Sequence, residues 1–177
     1  MFAKYKAEPH TEPKGNKVAG IDLGEIHLAV AYDGEATILM NGRKLRALRQ
    51  YQNRIEARLG SKIDRTQRGS SRWKKLVRSK NKQLSKLRNQ STDLLHKMST
   101  RLVEALHERG VSTIALGDVR QIRSDLNYGS KVNQKLQQWT FGKLRHMIEY
   151  KAQLSGMTVE LVDEAYTSQT CPKCKRR

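Results

Sequence analysis

Three acids stand where apolar runs stop: Asp22 closes VAGID, Asp118 follows VSTIALG, and Glu164 follows MTVELVD. A bare carboxylate at the end of a buried strand is costly without a partner, so acids gathered at strand ends ask for a cation. Hard divalent ions such as Mg²⁺ take oxygen ligands, and two of them can clamp an in-line phosphoryl displacement. Strand-end acids are more often loop residues facing water, and spacing alone favours that reading over a metal site. A second constellation is CPKC, which holds the only two cysteines, Cys171 and Cys174. Two thiolates at this spacing make half of a structural zinc site, which takes four ligands. Zn²⁺ is therefore expected only if a second copy or histidine supplies the missing pair. A third lies in GSSRWKKLVRSKNK, where Trp73 sits beside Arg72, Lys74 and Lys75, with Arg78, Lys80 and Lys82 following. Such a ring can stack on a base while the cations meet phosphates. It can as well pack on a partner helix.

The charge balance gives the cations a context. The chain of 177 residues carries 35 Lys plus Arg against 17 Asp plus Glu, a formal charge of +18. A polyanion is the natural partner of such a surface, nucleic acid before acidic membrane. No apolar run approaches the roughly 20 residues of a spanning helix, and MFAKYKAEPH has no signal-like apolar core. The expectation is a cytoplasmic, nucleoid-associated protein without a membrane partner; its oligomeric state is not legible.

The elements that must position these residues follow from periodicity. Residues 1–17, with Pro9, Pro13 and Gly15, read as a leader. Alternating apolar runs predict strands over 18–23, 26–32 and 35–40, with Asp33-Gly34 as a hairpin turn. Residues 41–110 read as two helices broken at GSKIDRTQRGSS (60–71) and stopped by Gly110. Between Asn41 and Thr100 there are 18 Lys plus Arg against three acids, Glu56, Asp64 and Asp93. Helices so poor in apolar residues are a solvated arm or a surface that meets a polyanion. VSTIALG (111–117) predicts a strand, 119–130 a polar loop, 131–155 a helix stopped by Gly156, and MTVELVD (157–163) a last strand. His96 could touch nucleic acid, although a buried helix-face histidine is the commoner case, and Trp139 reads as core. A meander followed by helical crossovers to parallel strands implies an α/β fold, a mixed sheet with flanking helices, whose ligands collect at the carboxyl ends of parallel strands.

GIDLG (20–24), SKNKQLSKLRNQSTDLLHKMSTRLV (79–103), QQWTFGKLRHMIEYKAQLSGMTVELV (137–162) and AYTSQTCPKC (165–174) together resemble the OrfB/TnpB proteins of insertion sequences. These are transposases or accessory transposon proteins of prokaryotic mobile elements, related to type V CRISPR effector nucleases. The resemblance implies an RNase H-like, RuvC-type core over 18–40 and 111–165, with 41–110 a basic helical hairpin inserted in it. It further implies that 166–177 is the first half of a zinc ribbon. The implied activity is RNA-guided cleavage of DNA with Mg²⁺ or Mn²⁺, the partners being DNA and a guide-type RNA. Asp22 matches the family's first catalytic aspartate. Gly117-Asp118 stands where many members have Glu-Asp, so the usual glutamate is glycine, and Glu164 is the candidate for a relocated acid. Relatives carry a region before the first strand, a second CxxC and a final aspartate, so the chain is expected to be a truncated piece. The alternative to a nuclease is a binding remnant that no longer cuts. Actin-like ATPases also open on GIDLG, but they need a second phosphate-binding half for which this chain has no room.

Overall fold

The computed structural model describes residues 12–24, 26–118, 141–162 and 174. Three strands form the meander: β1 (Lys17–Asp22), β2 (His27–Tyr32) and β3 (Thr37–Asn41). They pair antiparallel in succession, with Gly20 opposite Tyr32 and Val30 opposite Leu39. Two long helices follow, α1 (Arg43–Asp64) and α2 (Ser71–Glu108), then β4 (Val111–Gly117), α3 (Phe141–Leu154) and β5 (Thr158–Val162). β4 lies parallel to β1, and β5 parallel to β4, giving a mixed sheet in the order β3-β2-β1-β4-β5.

Side-chain alternation decides which face of the sheet is covered. Ala19 and Ile21 are buried, whereas Val18, Gly20 and Asp22 are exposed. The register carries the buried face to Ile114 and Leu116 in β4. Leu95, Leu102, Val103 and Leu106 of α2 and Phe141, Leu144, Ile148 and Ala152 of α3 join that face in one core. These positions recur at helical spacing, each leucine contributing roughly 1.5–3 kcal/mol of burial. Both helices end where glycine takes a positive φ, Gly110 at 80° and Gly156 at 74°. Gly110 N donates to the His107 carbonyl at 3.1 Å, satisfying one of the carbonyls left over at the helix end.

The break between α1 and α2 is shorter than the sequence predicts. α1 continues through Gly60 to Asp64, because the half-buried Ile63 falls one turn after the buried Leu59 and extends its stripe. Thr66 Oγ1 then donates to the Lys62 carbonyl at 2.7 Å. Ser70 opens α2 as its N-cap, its hydroxyl accepting from Trp73 N at 3.2 Å. α2 returns along α1, and Leu84 and Leu87 pack with Ile55, Leu59 and Leu48 in a small second cluster. His96 is exposed rather than buried, since its neighbours Leu95 and Ser99 face the core instead. The expected loop at 119–130, the helix start at 131–140 and Trp139 lie outside the described residues.

Two polar clamps hold the elements together, one between helices and one between a helix and the sheet. Lys151 Nζ donates to the His96 carbonyl at 2.6 Å, Ser99 Oγ at 2.7 Å and Thr100 Oγ1 at 2.6 Å, docking α3 on α2. Burial pulls this ammonium below its ordinary pKa, and the charge of Glu104 opposes that pull. The second clamp is Asp33, whose side chain is only 2 % exposed. Its carboxylate accepts from Ala36 N at 2.7 Å and Glu35 N at 3.0 Å, which closes the β2–β3 turn. Arg109 Nη1 at 3.3 Å ties the same carboxylate to the end of α2.

The backbone donors of Ala36 and Glu35, then Arg109, hold the Asp33 carboxyl down to about 2 from an ordinary 3.8, against the effect of burial. A carboxyl lowered in the folded state stabilises above its unfolded pKa and loses that contribution as pH falls through the folded one. Wild-type stability is therefore expected to fall between about pH 4 and pH 2 more steeply than that of Asp33→Asn. Urea unfolding followed by circular dichroism across that range checks it; parallel pH profiles would refute the clamp.

Candidate functional site

Asp22 is the last residue of β1 and stands exposed on the uncovered side of the strand, in the series Val18, Gly20, Asp22. The tight exit from β1 depends on Gly24: a Cβ there would lie 2.9 Å from the His27 carbonyl oxygen. That close approach is the physical reason for the second glycine of GIDLG. One step beyond the registered pair Ile21–Leu116, Asp22 comes level with Gly117, which pairs with Val162 of β5. The side facing Asp22 on β4 is thus the side of Ala115 and Gly117, and it carries no carboxylate.

Asp118 turns the other way. Strand alternation sends it to the helix side of the sheet, where its side chain is 20 % exposed and Oδ1 lies 3.9 Å from Arg145 Nη1 of α3. Asp118 N donates to the Val162 carbonyl at 2.8 Å, so the backbone here continues the β4–β5 ladder without a bulge. Arg145 also lies beside Glu149, Nε to Oε1 at 3.2 Å, but the direction is poor and Nε makes no hydrogen bond among the described residues. Asp22 and Asp118, paired by the sequence reading, are therefore on opposite faces. Glu164 and Cys171 lie outside the described residues, and Cys174 is exposed.

The acid that sequence reasoning missed is Glu160. It is exposed in β5, opposite Ala115, which in turn is opposite Gly20, and so shares the uncovered side with Asp22. The signal was available in alternation along TVELV. Two strand gaps separate Glu160 from β1 by about 10 Å, too far for one ion to bridge it to Asp22. Among the described residues no three His, Cys, Asp or Glu come together as a metal site. A single carboxylate does not make the two-metal donor set.

The cations are arranged more favourably. Lys74, Arg78 and Lys82 follow one another at i, i+4 and i+8 along α2, all exposed, with Arg72 and Lys75 exposed beside them. Lys80 is half-buried and reaches toward Gly60 of α1, with Nζ 3.9 Å from where a Cβ would stand. Trp73 is half-buried too, which leaves part of its surface accessible at the start of the helix. Among the described residues no helix is long and apolar enough to cross a membrane.

A five-stranded mixed sheet covered on one side by helices, with Asp22 the one aspartate among the described residues on its other side and a cation-lined helix pair between β3 and β4, defines a mixed α/β protein with a basic helical pair. The chain belongs to the OrfB_IS605 family, described as "Probable transposase", which matches residues 2–140, and a Cas12f1-like TNB domain matches 141–177. It is 34% identical over 163 residues to the TnpB-like protein ORF457 of Acidianus two-tailed virus, covering 90% of this chain and 35% of that protein. It is 30% identical over 175 residues to the CRISPR-associated endodeoxyribonuclease Cas12f1 of Sulfoacidibacillus thermotolerans, covering 96% and 40%. A solved CRISPR-Cas12f ternary complex shares the fold at a TM-score of 0.70 and 17% identity, over 98% of this chain and 33% of that one. A Cas12f1–sgRNA–target DNA complex gives a TM-score of 0.67, also at 17% identity. The chain thus spans between about a third and two fifths of these relatives.

The two faces make a prediction about metal. If a divalent ion sits at Asp22, Asp22→Asn is expected to weaken Mn²⁺ binding by at least about tenfold, the scale on which losing even a group that only orients a ligand weakens a metal site. Asp118→Asn is expected to leave it unchanged. Electron paramagnetic resonance of free Mn²⁺ in titrations reads both, and equal losses in the two variants would overturn the assignment.

Proposed function

We propose that the chain is the RuvC-type part of an RNA-guided DNA endonuclease that uses a divalent metal. The observation that carries this is the position of Asp22: exposed at the carboxyl end of β1, beside a parallel strand, in a sheet of the order an RNase H-like core requires. One of the Cas12f relatives is solved with sgRNA and target DNA and another is named an endodeoxyribonuclease, which supports the same partners here. Asp22 would hold Mg²⁺ or Mn²⁺, which would supply charge neutralisation and an activated water. Glu164 is proposed as the second acid on the sequence alone. Zn²⁺ on Cys171 and Cys174 is proposed only with ligands beyond those two. The α1–α2 pair acts as the basic hairpin that grips the nucleic-acid backbone, with Arg72, Lys74, Lys75, Arg78, Lys80 and Lys82 on phosphates and Trp73 against a base.

A second reading rests on the acids around Asp22. Gly117 offers no side chain on the face of Asp22, and Asp118 is engaged with Arg145 on the other. On that reading the chain binds nucleic acid and does not cut it.

Labelled single- and double-stranded DNA, incubated with Mg²⁺ or Mn²⁺ and with RNA co-purified from the source cells, separates the two. Metal-dependent cutting that is lost in Asp22→Ala establishes the nuclease; tight binding without cutting establishes the second reading. Both require affinity that falls steeply with salt, and Lys74→Gln, Arg78→Gln and Lys82→Gln together should lower the slope of log K against log salt by about three. Binding that is flat in salt would sink both.

A further inference from the structure

Along α1 and α2 the inward stripe changes character at the same level in both helices. In α1, Leu45 belongs to the main core and Ile55 and Leu59 to the small cluster, while Arg49 and Gln52 stand between. In α2, Leu84 and Leu87 belong to the small cluster and Leu95 to the main core, while Arg88, Ser91 and Thr92 occupy the turns between. Apolar residues at these positions would join the two clusters into one; the chain forgoes that burial. Instead the polar residues line a cleft of about 310 Å³, with Glu56 on the α1 side and Lys143 reaching it from the first turn of α3.

The lining has a clear chemical sense. Three cations face one carboxylate, and two hydroxyls and a carboxamide add further donors. Arg88 Nε donates to the Leu84 carbonyl at 3.4 Å, a bond that does not use its two terminal nitrogens. Arg49 already has a partner within the protein, but a guanidinium carries five N–H donors and one partner does not exhaust them. Donors in such excess around one cleft, with Arg49, Gln52, Ser91 and Thr92 half-buried and Arg88 and Lys143 exposed at its edge, suit an acceptor-rich anion. Guanidinium forks with an ammonium and hydroxyls are the usual complement of a phosphate. The space is at the lower end of ligand pockets, about 300–1,000 Å³, enough for one nucleotide and not for a duplex.

We infer that this cleft is a phosphate site that seats one phosphodiester of an RNA or DNA single strand between α1, α2 and the start of α3. It rests on the nucleic-acid reading above and adds a place that reading does not contain. Arg88 lies six residues past Lys82, about 9 Å further along the helix, so one strand can engage both the exposed cations and the cleft.

The full chain, labelled with ¹⁵N, is titrated with UpU, with dTpT and with inorganic phosphate, following the amides of Ser91, Thr92 and Lys143. Saturable shifts at these amides, larger for a dinucleotide than for phosphate, are expected, and whichever of UpU and dTpT binds more tightly identifies the strand. Arg88→Gln with Lys143→Gln, both at exposed positions, should weaken dinucleotide binding by about tenfold or more, the loss of two charge-assisted hydrogen bonds. An equal response to phosphate alone overturns the assignment to a strand. If the double variant binds dinucleotides as the wild type does while the Lys74, Arg78 and Lys82 variant loses affinity for longer nucleic acid, the cleft fails and the nucleic-acid reading stands. If no nucleic acid of any length binds, both fail.

Discussion

The parallel pairing of β1 with β4 is the constraint on which the rest of the molecule depends. A parallel pair cannot be closed by a tight turn, so the chain between Asp22 and Val111 must leave the sheet edge and return. The meander uses the first part of that path and α1 and α2 use the remainder. Because the crossover must come back alongside β1, the last turns of α2 are obliged to lie on the sheet, which is where Leu102, Val103 and Leu106 are buried. The first turns have no such obligation and carry the cations. One helix of 38 residues thus serves as core at one end and as arm at the other. At about 57 Å it is a rigid link between them.

The arm in turn sets an electrostatic problem that the ion pair seen within α2 relieves only in small part. Within α2 one exposed pair, Lys97 Nζ to Asp93 at 2.8 Å, offsets a small part of the charge. Such a pair is worth no more than about 0.5 kcal/mol, far less than the mutual repulsion of closely spaced cations that counterions must relieve. The small cluster of Ile55, Leu59, Leu84 and Leu87 holds the two helices together against that repulsion. Its four buried side chains leave the remaining surface of the pair free to be polar, and the same economy explains why the polar cleft between the clusters is tolerated.

Much of this was legible in the residues. Alternation in VAGID and VSTIALG gives the strands and, through the register, the uncovered side of Asp22; Gly110 and Gly156 mark their helix ends because only glycine takes that backbone angle cheaply. What escaped local reading is long-range or a matter of degree. Asp33 reads as a plain turn residue, since nothing near it announces Arg109, 76 positions away. The end of α1 was placed too early because Gly60 and Ser61 look like punctuation, whereas the apolar stripe reaches Ile63. His96 escaped because a helix face is assigned by its neighbours, and Leu95 and Ser99 take the core.

The same register that presents Asp22 also limits what can sit beside it. On β4 the face of Asp22 carries Thr113, Ala115 and Gly117, none of them an acid. Asp118, one residue on, is committed by alternation to the helix side, and Arg145 compensates it there. Moving its carboxylate to the face of Asp22 would need a bulge that breaks the Asp118–Val162 hydrogen bond and leaves Arg145 facing Glu149 alone. Glu160 has the right face and the wrong distance. Among the described residues no second carboxylate is placed to share a metal with Asp22, so the sheet fixes one half of the chemistry and the other half must come from outside them.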